Sequence, residues 1–390
     1  MVDVPVNKEV LIWARKERGL SEEEAAARLK LTRDQLAELE NGAKLPSMAM
    51  LDRIAMKYQI PFASLMMPEP LPLVKRPADF RTYEGQEPVW DDELLVALEV
   101  VNAQVDFFVE IRDHDAELFK GDALRIYDDK TVASDVAAQE RKHFGLTLET
   151  QKAWPTPAQA FRYWRHIVER AGAFVQIMGL GPENLCRGFS IFDDRSIPAI
   201  VINGDDTEGP ARTFTLLHEY AHILIRKPGV SDQNRKNSVE RWCNQFSAHL
   251  LMPADQFKLD AVALDPNRTW SDAALRKIAE VYKVSMSAVA LHLEDVGLAK
   301  AGLYDRKLAE WREQERRKNQ KKSKGGPPMP FPERQVHRLG VRHVGIVLDA
   351  VDRGDIDSLE AFELTDVNPK WFGDLKEQVV ERQKIYGGVR

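Results

Sequence analysis

The sequence predicts an α+β chain of three parts: an all-helical head, a domain joining a small mixed sheet to helices, and a helical tail. Three observations carry this. Apolar residues recur at helical spacing up to about Met67. Three short runs, Phe174–Met178, Gly188–Phe192 and Pro198–Ile202, are bounded by Gly, Pro or Asp and read as strands. Breaks rich in proline or glycine, at Pro68–Pro77 and Gly325–Pro332, separate the parts. The expected division is a head over 1–67, a linker over 68–77 and a mixed domain over 78–304 that opens with a helix near Glu93–Ile111. A basic helix end with its Gly/Pro linker then covers 305–332, and a tail covers 333–390. A chain of 390 residues is too long for one ordinary core, which agrees with such a division.

Composition narrows the class. With 44% hydrophobic and 30% charged residues the chain reads as globular rather than disordered. No run approaches the roughly 18 uninterrupted apolar residues of a membrane helix. Met1–Pro5 lacks the basic start of a secretory signal. No membrane partner is expected. Cys186 and Cys243 cannot build a disulfide framework and fit a reducing cytoplasm. A net charge of −6 argues against a nucleic-acid coat while leaving room for a local basic surface.

In the head, Ser21 caps a helix whose first turn is Glu22-Glu23-Glu24, carboxylates that suit the positive end of the helix dipole. Ala25, Ala26 and Ala27 are small enough for a close helix crossing. Thr32 caps a second helix, Arg33–Asn41, which Gly42 stops. This arrangement presents a recognition helix to the major groove. Leu20–Gly42, with Pro46 and Leu51–Ala55, resembles the XRE (Cro/repressor-like) helix-turn-helix family over about the first 67 residues. The resemblance implies operator DNA as a partner, a homodimer by default, and base contacts from Thr32, Arg33, Asp34 and Gln35. Arg33 suits guanine and Gln35 adenine. Two features depart from the family. Asp34, Glu38 and Glu40 lie on the recognition helix, where phosphates would repel them, and Lys30 occupies a turn position where glycine is common. The alternative is a fold kept for dimerisation or partner contact.

The mixed domain carries His218-Glu219-Tyr220-Ala221-His222, an HEXXH string. On a helix, two histidines four apart leave the same face and can fill two corners of a zinc tetrahedron. Glu219 beside them can serve as general base towards water. Such a string also arises by chance in ordinary helices. Here the preceding Arg212–Leu217 is apolar on one face, as in a helix lying under a sheet. Glu240, near the start of the next helix (about 238–251, ending at Met252-Pro253), is a credible third ligand that leaves a position open for water. Gly188-Phe189-Ser190, Pro198–Asn203, Phe214–Leu216 with the histidine motif, and Glu240 through Pro253 together resemble the ImmA/IrrE-type metallopeptidases. The likeness runs over roughly Ala160–Leu298 and more weakly back to Asp79-Phe80-Arg81. It implies a zincin-like domain in which His218, His222 and Glu240 bind zinc and Glu219 is the catalytic base. Cys243 departs from the family's usual small aliphatic residue; it reads as packing, with a rival zinc ligand as the other choice. His249, His292 and Tyr282 are candidates for a second oxyanion donor, set against surface or packing roles. His292 falls where the family commonly has arginine.

Other features are weaker. The basic run Arg316–Lys324 could meet phosphates, although a solvated helix end is the favoured reading. Trp154, Tyr163 and Trp164, near Arg162 and Arg165, suggest either base stacking or, preferably, core packing. The tail has a helical pattern over Val341–Val351, and Ile356–Phe372 diffusely resembles the end of long helix-turn-helix/metallopeptidase fusions. The resemblances imply a cytoplasmic transcription regulator whose peptidase cleaves a repressor or partner protein in a stress or mobile-element response. The alternative is an antitoxin-like DNA-binding regulator, paired with a toxin, whose metal is structural or sensory. A scaffold binding partners through both domains is a third possibility.

Overall fold

The computed structural model describes residues 4–58, 60–70, 81–82, 92–119, 124–181, 186–192, 197–205, 209–226, 233–317 and 329–386. The chain forms two compact units, with the division falling inside one long helix. The first unit holds α1 (Lys8–Glu17), α2 (Glu22–Leu29), α3 (Arg33–Glu40), α4 (Met48–Tyr58) and α5 (Phe62–Leu65). The starts of α2 and α3 are built as reciprocal capping boxes. Ser21 accepts from the Glu24 amide while Glu24 accepts from the Ser21 amide, and Thr32 and Gln35 do the same for α3. Lys30 ends α2 in the left-handed region at φ 57°, a conformation that costs a residue with a side chain about 1 kcal/mol. Val10, Ala14, Ala25, Ala26, Leu29, Leu36, Leu39, Leu51 and Ile54 close the core. Glu40, expected to repel phosphate, turns inward and takes two hydrogen bonds from Arg15 at 2.7 and 2.8 Å.

Next in the chain come β1 (Arg81–Thr82), which belongs to the second unit, and α6 (Asp92–His114), which the division crosses. The second unit continues with α7 (Ala133–His143), α8 (Leu148–Ala153), α9 (Pro157–Ala171), β2 (Phe174–Met178), β3 (Cys186–Ile191) and β4 (Ala199–Asn203). The sheet order is β1-β3-β4-β2, with β2 parallel to β4 and the other pairs antiparallel, so the sheet is mixed as the sequence predicts. Trp154 stacks on Tyr163 at 5.0 Å and meets Trp164 edge-on, with both tryptophans buried. These rings pack a core rather than forming a base-stacking platform.

α10 (Gly209–Ile225) packs against β3 and β4, and α11 (Gln233–Leu251) packs against α10. The expected one-sided apolar face is exceeded: every α10 residue from Thr213 to Ile225 is buried, because the sheet, α9 and α11 all pack on it. Gly188 makes this approach possible. A Cβ there would lie 2.7 Å from the Val201 carbonyl oxygen and 2.9 Å from Thr215 Cγ2 on α10. The C-terminal carbonyls of α11 are capped from elsewhere in the unit. Arg141 donates to Leu250 O (2.7 Å), Gln151 to Leu251 O (2.8 Å), and His292 to the adjacent Met252 O (2.8 Å).

α12 (Ala254–Leu264), α13 (Asp272–Tyr282), α14 (Met286–Asp295) and α15 (Leu303–Arg317) follow. Most of the basic run, from residue 318 onward, lies outside the described residues, as do positions 71–80 of the linker and of the Asp79-Phe80 match. The tail forms α16 (Phe331–Leu339), α17 (Val341–Arg353), α18 (Ser358–Thr365) and α19 (Phe372–Tyr386) in the same unit as the sheet. Its own core is Val336, Leu339, Val344, Leu348, Leu375 and Val379. Arg165 joins it to the sheet: buried, it pairs with Glu169 (2.9 Å) and donates to the carbonyls of Val175 and His337. Gly340, at φ 98°, permits this contact, since a Cβ there would collide with Glu169 Oε1. Among the described residues no helix is long and apolar enough to cross a membrane.

Candidate metal centre

Two helices bring together His218, Glu219 and His222 of one segment with Glu240, 18 positions further along the chain. The i, i+4 spacing on α10 sets the two histidine rings at 67° to each other with Nε2 atoms 3.2 Å apart. From α11, Glu240 reaches across so that Oε2 lies 3.2 Å from His218 Nε2 and Oε1 3.2 Å from His222 Nε2. For ligand bonds of about 2.0–2.1 Å, donors at the corners of a zinc tetrahedron sit about 3.3 Å apart. The residues therefore fit a metal ion by spacing.

They also fit by chemistry. His218 Nδ1 lies 3.1 Å from Asn244 Oδ1. With that oxygen as acceptor, Nδ1 carries the ring proton and Nε2 is left as a lone pair facing a carboxylate oxygen. Two electron-rich atoms so placed repel unless a cation sits between them. His222 tells a similar story through its proton affinity. Burial alone would lower its pKa, but the adjoining Cys243 and the carboxylates of Glu240 and Glu219 raise it well above the ordinary imidazole value. The cluster thus favours positive charge. Asn244 on α11 supports the His218 imidazole from outside the donor set, and Cys243 on the same helix adjoins His222. Burial in turn pushes the Cys243 thiol up. The group of donor atoms lying within 4.8 Å of one another is His218, His222 and Glu240, and Cys243 is outside it.

Glu219 is held from the sheet. Ser190 on β3 donates to its Oε2 at 3.0 Å, while its Oε1 is buried with no hydrogen-bond partner among the described residues. A buried carboxylate oxygen left without a donor is costly by about 1–3 kcal/mol, and such an atom in a polar cluster is a place for a proton or water to bind. His218, Glu219 and His222 are each no more than 3% exposed, whereas the Glu240 side chain is 27% exposed.

The remaining candidate residues have other partners. Tyr282 donates to Asp260 (2.6 Å), His249 pairs with Asp295 (2.8 Å), and His292 caps Met252. In the head, Arg33 is exposed and pairs with Glu22 (3.0 Å) and Glu23 (2.8 Å). The Thr32 and Gln35 side chains are engaged in the capping box. The sequence reading names Ser190 only within the Gly188-Phe189-Ser190 run of the resemblance and gives it no role, since a serine between Phe189 and Ile191 carries no signal of its partner. Asn244 did give one, standing one turn after Glu240 on the same face.

Comparison with models of protein families gives two matches. Residues 11–65 match a helix-turn-helix domain, and residues 168–294 match a peptidase family described as the IrrE N-terminal-like domain. These fall in the order of the two resemblances read from the sequence, which they bear out. No curated protein matches the chain. The matches point to a DNA-binding regulator that carries a metallopeptidase-like domain.

Proposed function

We propose that the chain is a DNA-binding transcription regulator whose second unit is a zinc-dependent endopeptidase, with His218, His222 and Glu240 as zinc ligands and Glu219 as catalytic base. One observation carries the reading: imidazole and carboxylate donors in pairs 3.2 Å apart, beside a buried carboxylate oxygen that receives no hydrogen bond. When bound, zinc supplies a Lewis acid for hydrolytic chemistry. Glu219 Oε1 accepts a proton from water and returns it to the departing amine. Ser190, by holding Oε2, keeps the other oxygen aimed at that task. Asn244 and Cys243 fix the ring orientations, as supports outside a ligand set do. The substrate is a repressor or another partner protein, cleaved in the cytoplasm during a stress or mobile-element response. Operator DNA is read by Thr32, Arg33 and Gln35, with two copies of the chain on one operator. The Arg33 ion pairs are solvent-exposed, hence weak, and phosphate or guanine can replace them.

A second reading has its own observation. The near-complete burial of His218, Glu219 and His222 suits a metal that is sensed rather than used in turnover, as in an antitoxin-like regulator paired with a toxin. Zinc content and cleavage of candidate repressors, measured for the native chain, His218→Gln and Glu219→Gln, separate the two. The peptidase reading requires cleavage by the native chain, its loss with zinc retained in Glu219→Gln, and loss of zinc in His218→Gln. Stoichiometric zinc with no cleavage of any candidate by the native chain leaves the sensory reading.

A further inference from the structure

A second cluster of metal-ligating side chains lies at the other end of α11, and the proposed peptidase chemistry does not use it. His249 on α11 and His292 and Asp295 on α14 place one donor atom each within 4.8 Å of one another. His249 Nε2 lies 2.8 Å from Asp295 Oδ2, and His292 Nδ1 lies 3.9 Å from the same oxygen. These separations bracket the roughly 3.3 Å expected between neighbouring ligands of a tetrahedral ion.

His292 is the informative member. It is fully buried, its ring wedged edge-on against Phe257 at 4.6 Å and His249 at 4.9 Å. Its Nε2 meets the Met252 carbonyl at 2.8 Å. A carbonyl can only accept, so Nε2 carries the proton and Nδ1 is a bare lone pair. That lone pair points towards the Asp295 carboxylate and has no hydrogen-bond partner among the described residues. A neutral imidazole whose far N–H is tied to a backbone carbonyl is how proteins orient a metal-bound histidine. Asp295 is supported in the same way: its Oδ1 accepts from Gln245 at 2.9 Å. The His249 and Asp295 side chains are 14% and 23% exposed, so an ion has a route in and room for water on the solvent side.

We propose that His249, His292 and Asp295 form a second binding site for a divalent transition-metal ion, zinc by donor type, that clamps α11 to α14. It is separate from the first site. Glu240 and His249 stand nine positions apart on one helix, about 14 Å along its axis, against the 3.5–4 Å of a two-metal catalytic pair. The ion's role is to hold the far end of the helix that carries Glu240, Cys243 and Asn244.

The test uses the full chain, stripped with chelator and titrated with Zn²⁺ or Co²⁺ alone, with stoichiometry by elemental analysis and site geometry from the cobalt absorption spectrum. The native chain is expected to bind two equivalents. His218→Gln/Glu240→Gln should keep one, with its own cobalt spectrum and a melting temperature that rises with added metal. Asp295→Asn should weaken one equivalent at least 100-fold and leave the other. His249→Ala replaces it if Asp295→Asn fails to melt cooperatively. If His218→Gln/Glu240→Gln folds and takes up no metal, or if both second-site variants hold as much metal as the native chain, the site does not exist. Loss of all metal in Asp295→Asn with none lost in His218→Gln/Glu240→Gln would support this site and remove the peptidase reading instead.

Discussion

The short helix α3 and the long helix α10 each carry the side chains on which a function would rest, in opposite physical settings. On α3 the candidate base-reading groups are exposed: Arg33 is paired with Glu22 and Glu23, and Gln35 closes a cap. Water would satisfy them almost as well, so their presence costs little and says little. On α10 the two histidines and Glu219 are buried among apolar neighbours, where each unsatisfied polar atom is expensive. A polar residue retained there needs a partner, and the partners are present: Glu240, Asn244, Cys243 and Ser190. Polarity therefore informs in proportion to burial.

The contrast can be broken by substitution. The largest effect is expected at Glu219→Gln, which keeps shape and zinc but removes the base; cleavage rates should fall by about 10²–10⁴-fold in a discontinuous assay. Asn244→Ala should weaken zinc binding by about 10–100-fold in competition with a chelator, and an unchanged affinity would deny the outer support a role. On α3, Arg33→Ala should weaken binding to the cognate operator by about 1–3 kcal/mol by fluorescence anisotropy. An equal loss on random DNA would reassign Arg33 to phosphate contact.

Acid should act through buried neutral histidines outside both clusters. Burial pushes His343, within the tail helix α17, down to about 3, and His166 down to about 4. Unfolded, these rings take up protons below about pH 6.5 that the folded chain refuses. Stability from each is then full above pH 6.5 and falls by up to about 1.4 kcal/mol per pH unit until the folded pKa is reached. Urea unfolding at pH 7.0 and 5.5 should show the loss, and His343→Gln should flatten it by one proton. The smallest effect is a gain: Lys30→Gly relieves the left-handed backbone and should stabilise the head by about 1 kcal/mol, seen as a higher melting midpoint.

Helix starts and the histidine spacing were legible in the sequence because both are local. Ser21 with Glu24 and Thr32 with Gln35 announce caps within four residues, and His218 with His222 shares one face of one helix. The strands at Phe174 and Ala199 were legible from composition and their bounding turns. What depends on distant pairing was not. The Ser190 hydroxyl meets Glu219 across 29 positions, and the Arg165 guanidinium reaches the tail across 172. Nor does a buried arginine announce itself: Arg141 looks like any solvated basic residue of an amphipathic helix until the carbonyl it caps is known. Glu40 misled for the same reason, since its inward partner Arg15 lies two helices away.

The arrangement of α11 makes the first cluster switch-like. Glu240, Cys243 and Asn244 occupy successive turns of one rigid rod, so a donor and both ring supports travel together. A slip of that rod by a single residue, about 1.5 Å along its axis, would misalign all three at once. Intermediate geometries are thereby disfavoured, and whatever displaces α11 would take the cluster apart in one step.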